Sequence, residues 1–366
     1  MDTIIVPDKK RYEEGFRRVH FLLRSFRQCG GKGEMLKQIS LISCMILLVT
    51  LALPVAQAGS LVLTLDTKNE YNLGESIYIS GNLTQNGVPV ADALVAVQVD
   101  DPHNNHFIVR TVPTGGTPTG PWSVSVLQFI TCDSAGNPKS NFTRGGGIGL
   151  KVTVRNNAIN QQHVSIPVTL CYSNMVPFLV YMLFNEDMSP QSSETTYVYP
   201  IGSVPVDAVL GGAFAYASAL SGWPKNNGYA LSPENSTSFN ILSGGGGGGA
   251  SYASEEFRTL SSPGEFNMTF RTNGYGGFTG NYTVTATSLY PYSYVSAQKT
   301  FNVYLVGDVN GDGKVRVDDV LLVAQHFGLN EGDPGWNSQC DLTGDGKVRV
   351  DDILLVAQAF GKYGSP

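Results

Sequence analysis

ESIYISGNLT, residues 75–84, alternates apolar and polar side chains with period two behind an Asn72-Leu73-Gly74 turn, and this pattern sets the fold class. Working outward, Ser60–Asp66 (SLVLTLD), Ala93–Val99 (ALVAVQV) and Phe107–Val112 repeat the pattern, separated by Gly/Asn/Pro turns such as Asn86-Gly87. Strands at such spacing indicate an antiparallel sandwich. A second series begins at Trp122: Val124–Thr131, Ile148–Arg155, Val164–Leu170, Val176–Phe184 and Thr237–Leu242. Leu210–Leu220 (LGGAFAYASAL) interrupts it and reads as a short helix. A third set follows the glycine run 244–249: Phe266–Arg271, Gly280–Ala286 and Lys299–Leu305.

Tyr71-x-x-Gly74-Glu75, Gly81, Asn86-Gly87-Val88-Pro89-Val90 and Ala93-Leu94-Val95 resemble the opening half of the immunoglobulin-like modules of prokaryotic surface proteins. The closing half of that pattern, Gly280-Asn281-Tyr282-Thr283-Val284-Thr285-Ala286 followed by Lys299–Leu305, comes only after the second series. The expectation is therefore an insertion. Residues 59–120 plus 250–306 make one immunoglobulin-like β-sandwich, and 121–243 form a second β-sandwich placed within it, because surface loops tolerate long insertions. Three modules in tandem is the alternative. The expected fold class is mainly β, two antiparallel sandwiches plus a small all-α calcium-binding domain at 307–366.

Composition narrows the function. Charged residues are 15% of 366 and glycines number 42, a profile unlike a cytosolic helical enzyme. Residues 1–58 carry nine Lys/Arg and five Asp/Glu, and the remainder carries 15 basic and 25 acidic residues. A body with net charge −10 argues against nucleic acid and anionic membrane as partners, since phosphate binding needs a basic surface.

Ile39–Leu53 is almost purely apolar, preceded by Lys32 and Lys37 and followed by Ala56-Gln57-Ala58, which is the form of a secretory signal with its cleavage site. A start at Met35 would make the leader compact. Left uncleaved, residues 39–58 would instead anchor the chain in a membrane. Either way the body is exported to the cell surface or beyond. Cys132 and Cys171 each end an expected strand and can pair as a disulfide there, which leaves Cys340 over.

Catalytic patterns are sparse. His103-Asn104-Asn105-His106 lies in a polar turn without a third metal ligand, the glycine run lacks a strand-turn-helix setting, and no G-x-S-x-G occurs. The adjacent carboxylates Glu186-Asp187 and Glu255-Glu256 would diverge on a strand rather than face each other across a sugar. Trp122, Tyr197, Tyr199, Trp223 and Tyr229 could stack on sugar rings, and core packing accounts for them equally. No catalytic residue is assigned.

The strongest signal lies at the C-terminus. GDGKVRVDDVLLVAQHFG (311–328) and GDGKVRVDDILLVAQAFG (344–361) agree at 16 of 18 positions, 33 residues apart. Each copy opens with an EF-hand-like loop, in which positions 1, 3, 5 and 12 give side-chain oxygens, position 6 is Gly and position 7 gives a carbonyl. The first loop thus offers Asp308, Asn310, Asp312, Lys314 and Asp319, and the second Asp341, Thr343, Asp345, Lys347 and Asp352. Two calcium ions are the expected cofactors, the second held less tightly because Thr343 replaces Asn310. Val320–Phe327 and Ile353–Phe360 carry apolar residues at helical spacing, each stopped by a glycine, Gly328 and Gly361.

One loop and one helix, duplicated, resembles type I dockerin over residues 306–363. The resemblance implies a cohesin-like domain of another surface or scaffold protein as partner, contacted at Val317, Asp318, Ala324 and Gln325 and at Val350, Asp351, Ala357 and Gln358. Arg316 and Arg349 depart from the usual Asn or Ser of that family, and Asp318 and Asp351 from its usual Ser or Thr. Two function classes follow: a secreted or cell-surface non-catalytic adaptor that docks through this module, or an accessory or carbohydrate-binding component of an extracellular polysaccharide-degrading system.

Overall fold

The computed structural model describes residues 60–116, 120, 122–192, 194–223, 228–243, 262–274 and 276–365. The leader at 1–58 and the glycine run lie outside them. Ser60 onward forms one compact unit, mainly β with a small helical C-terminal module.

The opening strands are β1 (Leu61–Asp66), β2 (Glu70–Asn72), β3 (Ser76–Gln85), β4 (Val88–Pro89), β5 (Leu94–Asp100) and β6 (His106–Pro113). In β3 the residues Ile77, Ile79 and Leu83 point into the core, as period-two alternation requires. Gly81 shares that face and is glycine because a Cβ there would clash with the Thr64 carbonyl and the Phe266 ring. Asn86 and Gly87 take φ of 56° and 77°, the doubly left-handed turn that joins twisted strands by two residues.

Residues 122–243 supply β7 (Val124–Cys132), β8 (Asn141–Thr143), β9 (Gly147–Asn156), β10 (Gln162–Tyr172), β11 (Pro177–Met188), β12 (Thr195–Ser203), β13 (Gly211–Ala217), β14 (Leu220–Ser221), β15 (Tyr229–Ala230) and β16 (Asn235–Leu242). A three-stranded sheet, β12-β9-β7, faces a seven-stranded one, β15-β14-β10-β13-β16-β8 with β11 also paired to β10. Val152, Val154, Ile166, Val168, Phe239 and Ile241 fill the space between.

The expected helix at 210–220 is instead strand, β13 and β14. Ala213, Ala215 and Ala217 are buried in the core while Phe214 and Tyr216 stack on the opposite face, 6.2 Å apart. Small alanines favour a helix in isolation. Here β10 and β16 pair with β13 on both sides, and tertiary pairing overrides the local preference. The disulfide is corrected as well: Cys132 on β7 and Cys171 on β10 are buried free thiols in different sheets. Burial raises both, Cys171 to about 12.

The chain then returns as β17 (Glu265–Arg271), β18 (Gly277–Phe278), β19 (Gly280–Tyr290) and β20 (Ser293–Tyr304). Strand β17 lies antiparallel to β3, from Glu265 opposite Asn82 to Arg271 opposite Ser76. Strand β19 pairs with β5, and β20 joins β19 to β2. The result is two sheets, β1-β3-β17 with β4 on β3, and β2-β20-β19-β5-β6. Their shared core includes Tyr71, Ile79, Val97, Phe266, Phe270, Tyr282 and Phe301. Tyr282 and Phe301 stack with centroids 5.3 Å apart.

The two sheet pairs meet over β5 and β6, which explains why β5 is buried on both faces. Glu234 grips Arg110 with both carboxylate oxygens at 2.8 Å and also accepts the Thr111 N–H at 3.0 Å. The Arg110 guanidinium lies 3.5 Å from the centre of the Tyr216 ring. Thr169 Oγ1 accepts from Val109 N and donates to Val109 O, and Trp223 Nε1 donates to Gln98 Oε1 at 2.6 Å.

Glu234 has a side chain only 1% exposed, so removing its counter-charge would strand a buried anion. Arg110→Ala is therefore expected to destabilise the fold by about 3–5 kcal/mol, read as a lowered denaturant midpoint. Replacing both Arg110 and Glu234 by apolar residues of similar volume should cost less than the single change.

Candidate calcium loops and helical face

The helical module consists of α1 (Val317–Gln325), α2 (Val350–Ala359) and a terminal strand β21 (Gly364–Ser365). Val315, Val323, Cys340, Val348, Val356 and Ala359 make its interior, which is continuous with the core of the first sheet pair. Strand β21 pairs with β18, and Tyr363 O and Ser365 O accept the N–H groups of Gly276 and Thr279, each at 2.7 Å. Gly307 fits the junction because a Cβ there would come within 3.1 Å of the Ala359 Cβ.

Each loop winds around its own carboxylates. Asp308 accepts from Asp312 N and Gly313 N, Asn310 Oδ1 from Asp312 N, and Asp312 from Lys314 N, all at 2.9–3.0 Å. Asp319 is fully buried and accepts from Val309, Asn310 and Arg316 N–H groups. The second loop repeats this: Asp341 accepts from Gly344, Asp345 and Gly346, and buried Asp352 from Thr343 and Arg349. Gly313 and Gly346, at position 6, have φ of 83° and 77°, a turn that excludes ordinary side chains.

Asp319 and Asp352 do two jobs. Each closes its loop and also caps the following helix, accepting the N–H of the residue before it. Each loop is also braced by the other repeat: Lys314 bridges to Tyr363 and Lys347 to Asn330, positions one repeat apart on each side. Loop 1 thus rests on the chain after α2, and loop 2 on the chain after α1.

The donor set suits a hard divalent cation. Calcium takes six to eight oxygens, and three carboxylates, one amide or hydroxyl and one carbonyl per loop come from the chain. Burial raises the Asp308 carboxyl, with the Asp319 and Asp312 charges adding to the effect against the N–H of Gly313, as in a site short of positive charge. Among the described residues no three His, Cys, Asp or Glu side chains group closely enough to hold an ion alone.

The eight partner positions expected from the sequence lie on the two helices and are all exposed, Val317 at 62% and Val350 at 71%. Leu321 and Leu354, 55% and 54% exposed, extend the same stripes one turn on. Helical spacing alone does not single them out from the apolar residues of 320–327 and 353–360. The signal that separates them is their distance from the buried pairs Asp319/Val323 and Asp352/Val356, which define the opposite stripe. Cys340 lies inside the module with Sγ 3.5 Å from His326 Nδ1.

Other sequence candidates disperse. His103 packs on Phe278, while His106 turns to Asp100 at 2.7 Å. Trp223 is buried against Gln98, Tyr197 and Tyr199 pack on the second core, and Tyr229 meets Tyr294. They form no common face. No described helix is long and apolar enough to cross a membrane.

The C-terminal fold defines a duplicated loop-helix module with acidic loops. Residues 306–361 match the family model of the dockerin type I domain, a class of calcium-binding modules. No curated protein matches the chain. Similar solved structures include the C-terminal domain of Wzt (11% identity, 38% of this chain and 86% of that one, TM-score 0.29). Another is a Bacteroides uniformis β-glucuronidase 2 (7%, 46% and 26%, TM-score 0.26), of which the chain spans about a quarter. A third is a type II cohesin-X-dockerin complex from Acetivibrio cellulolyticus (22%, 27% and 70%, TM-score 0.15). At such scores these likenesses carry no argument.

Asp319→Ala would leave three N–H groups without their acceptor. It should cost the calcium-free module about 2–4 kcal/mol, seen as fast hydrogen exchange through 309–325 with the sheets still protected.

Proposed function

We propose that this chain is an exported, non-catalytic adaptor whose dockerin module binds two calcium ions, one per loop, and docks onto a cohesin-type domain of a surface or scaffold protein. The observation that carries this reading is the duplicated loop with its buried position-12 carboxylate, Asp319 and Asp352, each leading directly into an exposed apolar stripe. Binding an ion and ordering the stripe are then one event. Val317, Asp318, Ala324 and Gln325, and Val350, Asp351, Ala357 and Gln358, are the contact positions this reading assigns. Leu321 and Leu354 join them.

The sheets act as carrier in this reading, and residues 122–243 as a domain inserted between the opening and closing strands of the first. Ladders between β17 and β3 and between β19 and β5 support that organisation. Docking in polysaccharide-degrading assemblies is the narrower version of the same role; binding of the full chain to insoluble polysaccharide would favour it, and the adaptor role does not require such binding.

The test is a pull-down of cohesin domains by the full chain. Capture is expected in calcium, loss in EDTA, and recovery with calcium but poorly with magnesium, which resists wide all-oxygen loops. With calcium near a thousand times Kd, the module should also gain about 4 kcal/mol. Capture and thermal midpoint both unchanged in EDTA would overturn the proposal.

A further inference from the structure

Resting on the calcium reading, we propose that Asp318 is a positioning residue for the first loop, and that the two loops fill in order because the second lacks this device. The Asn310 amide has two unlike ends. Its Oδ1 faces the loop, accepting from Asp312 N at 2.9 Å, and its Nδ2 donates to Asp318 Oδ2 at 3.1 Å. A carboxylate only accepts. It therefore fixes the NH₂ end outward and holds the oxygen toward the place where an ion is bound; a flipped amide would present a donor to the cation instead.

The second loop differs on two counts. Thr343 has no amide for Asp351 to hold, and its hydroxyl donates to Asp341 Oδ1 at 3.2 Å, so it occupies a neighbouring ligand. Arg349 Nη1 lies 3.8 Å from Asp345 Oδ2, a cation already placed against a ligand carboxylate. Among the described residues no ion pair joins Arg316 to Asp312, the matching positions in the first repeat. Loop 1 is thus preorganised and loop 2 must displace internal partners. Partners that orient metal ligands typically change affinity by about 10–100-fold.

Asp318 also has a bland role available, since an acidic residue in the first turn favours the helix dipole. Two variants separate the roles. Asn at 318 keeps an acceptor for the Asn310 amide and removes the charge; Ala removes both. Calorimetric titration of the calcium-stripped full chain should show two steps. Asp318→Ala should weaken the tighter step by about tenfold or more, while Asp318→Asn should stay within about threefold of the parent. Arg349→Gln should tighten the weaker step. A tight step untouched by Asp318→Ala, or weakened equally by Asp318→Asn, would overturn the positioning role while leaving calcium binding intact. No calcium uptake by the unaltered chain would instead overturn the calcium reading, and this inference with it.

Discussion

Strand β3 cannot be buried by its own neighbours in sequence. One edge of it is paired by β17, which sets Phe266, Met268 and Phe270 beside Gly81, Ile79 and Ile77 and arrives some 180 residues later. The five-stranded sheet has the same dependence, because β5 is flanked by β6 on one side and by β19 on the other. Until those late strands pair, the opening strands expose unsatisfied edges and apolar faces. Everything between must leave the first core and come back to it. The second sheet pair meets this constraint by building a core of its own and then fastening onto β5 and β6 through Arg110–Glu234, Thr169 and Trp223.

The module at the C-terminus is tied into the same structure rather than hung from it. Its interior runs into the core of the first sheets through Leu305 and Val309, and β21 adds backbone pairing to β18. Some 60 residues bury little surface alone. Neighbouring sheets supply part of what is missing. Residues 306–366 carry ten acidic side chains against five basic ones. The N–H groups that ring Asp308, Asp319, Asp341 and Asp352 hold the loop shape.

The two repeats are alike in backbone and unlike in detail. Sixteen shared positions of eighteen give the same turn, cap and helix, yet Asn310 against Thr343 is a difference between an orientable amide and a single hydroxyl. The stripes on α1 and α2 are both exposed.

The amino-acid sequence by itself determined the features that are local. Period-two alternation marked β1, β3, β5, β17 and β20, Asn86-Gly87 marked a two-residue turn, and the duplicated D-x-N/T-x-D-G pattern marked the loops and the helices after them. Each rests on residues within a dozen positions of one another. Tertiary structure decided what depends on distant neighbours. LGGAFAYASAL is a strand because β10 and β16 lie on either side of it, although its alanines favour a helix. Cys132 and Cys171 are free, buried thiols, which spacing along the chain does not reveal. Leu321 and Leu354 face solvent, and Asp318 meets Asn310, because the folded loop fixes which stripe of each helix turns inward. Side-chain period sets which residues share a face; only packing sets which face is covered.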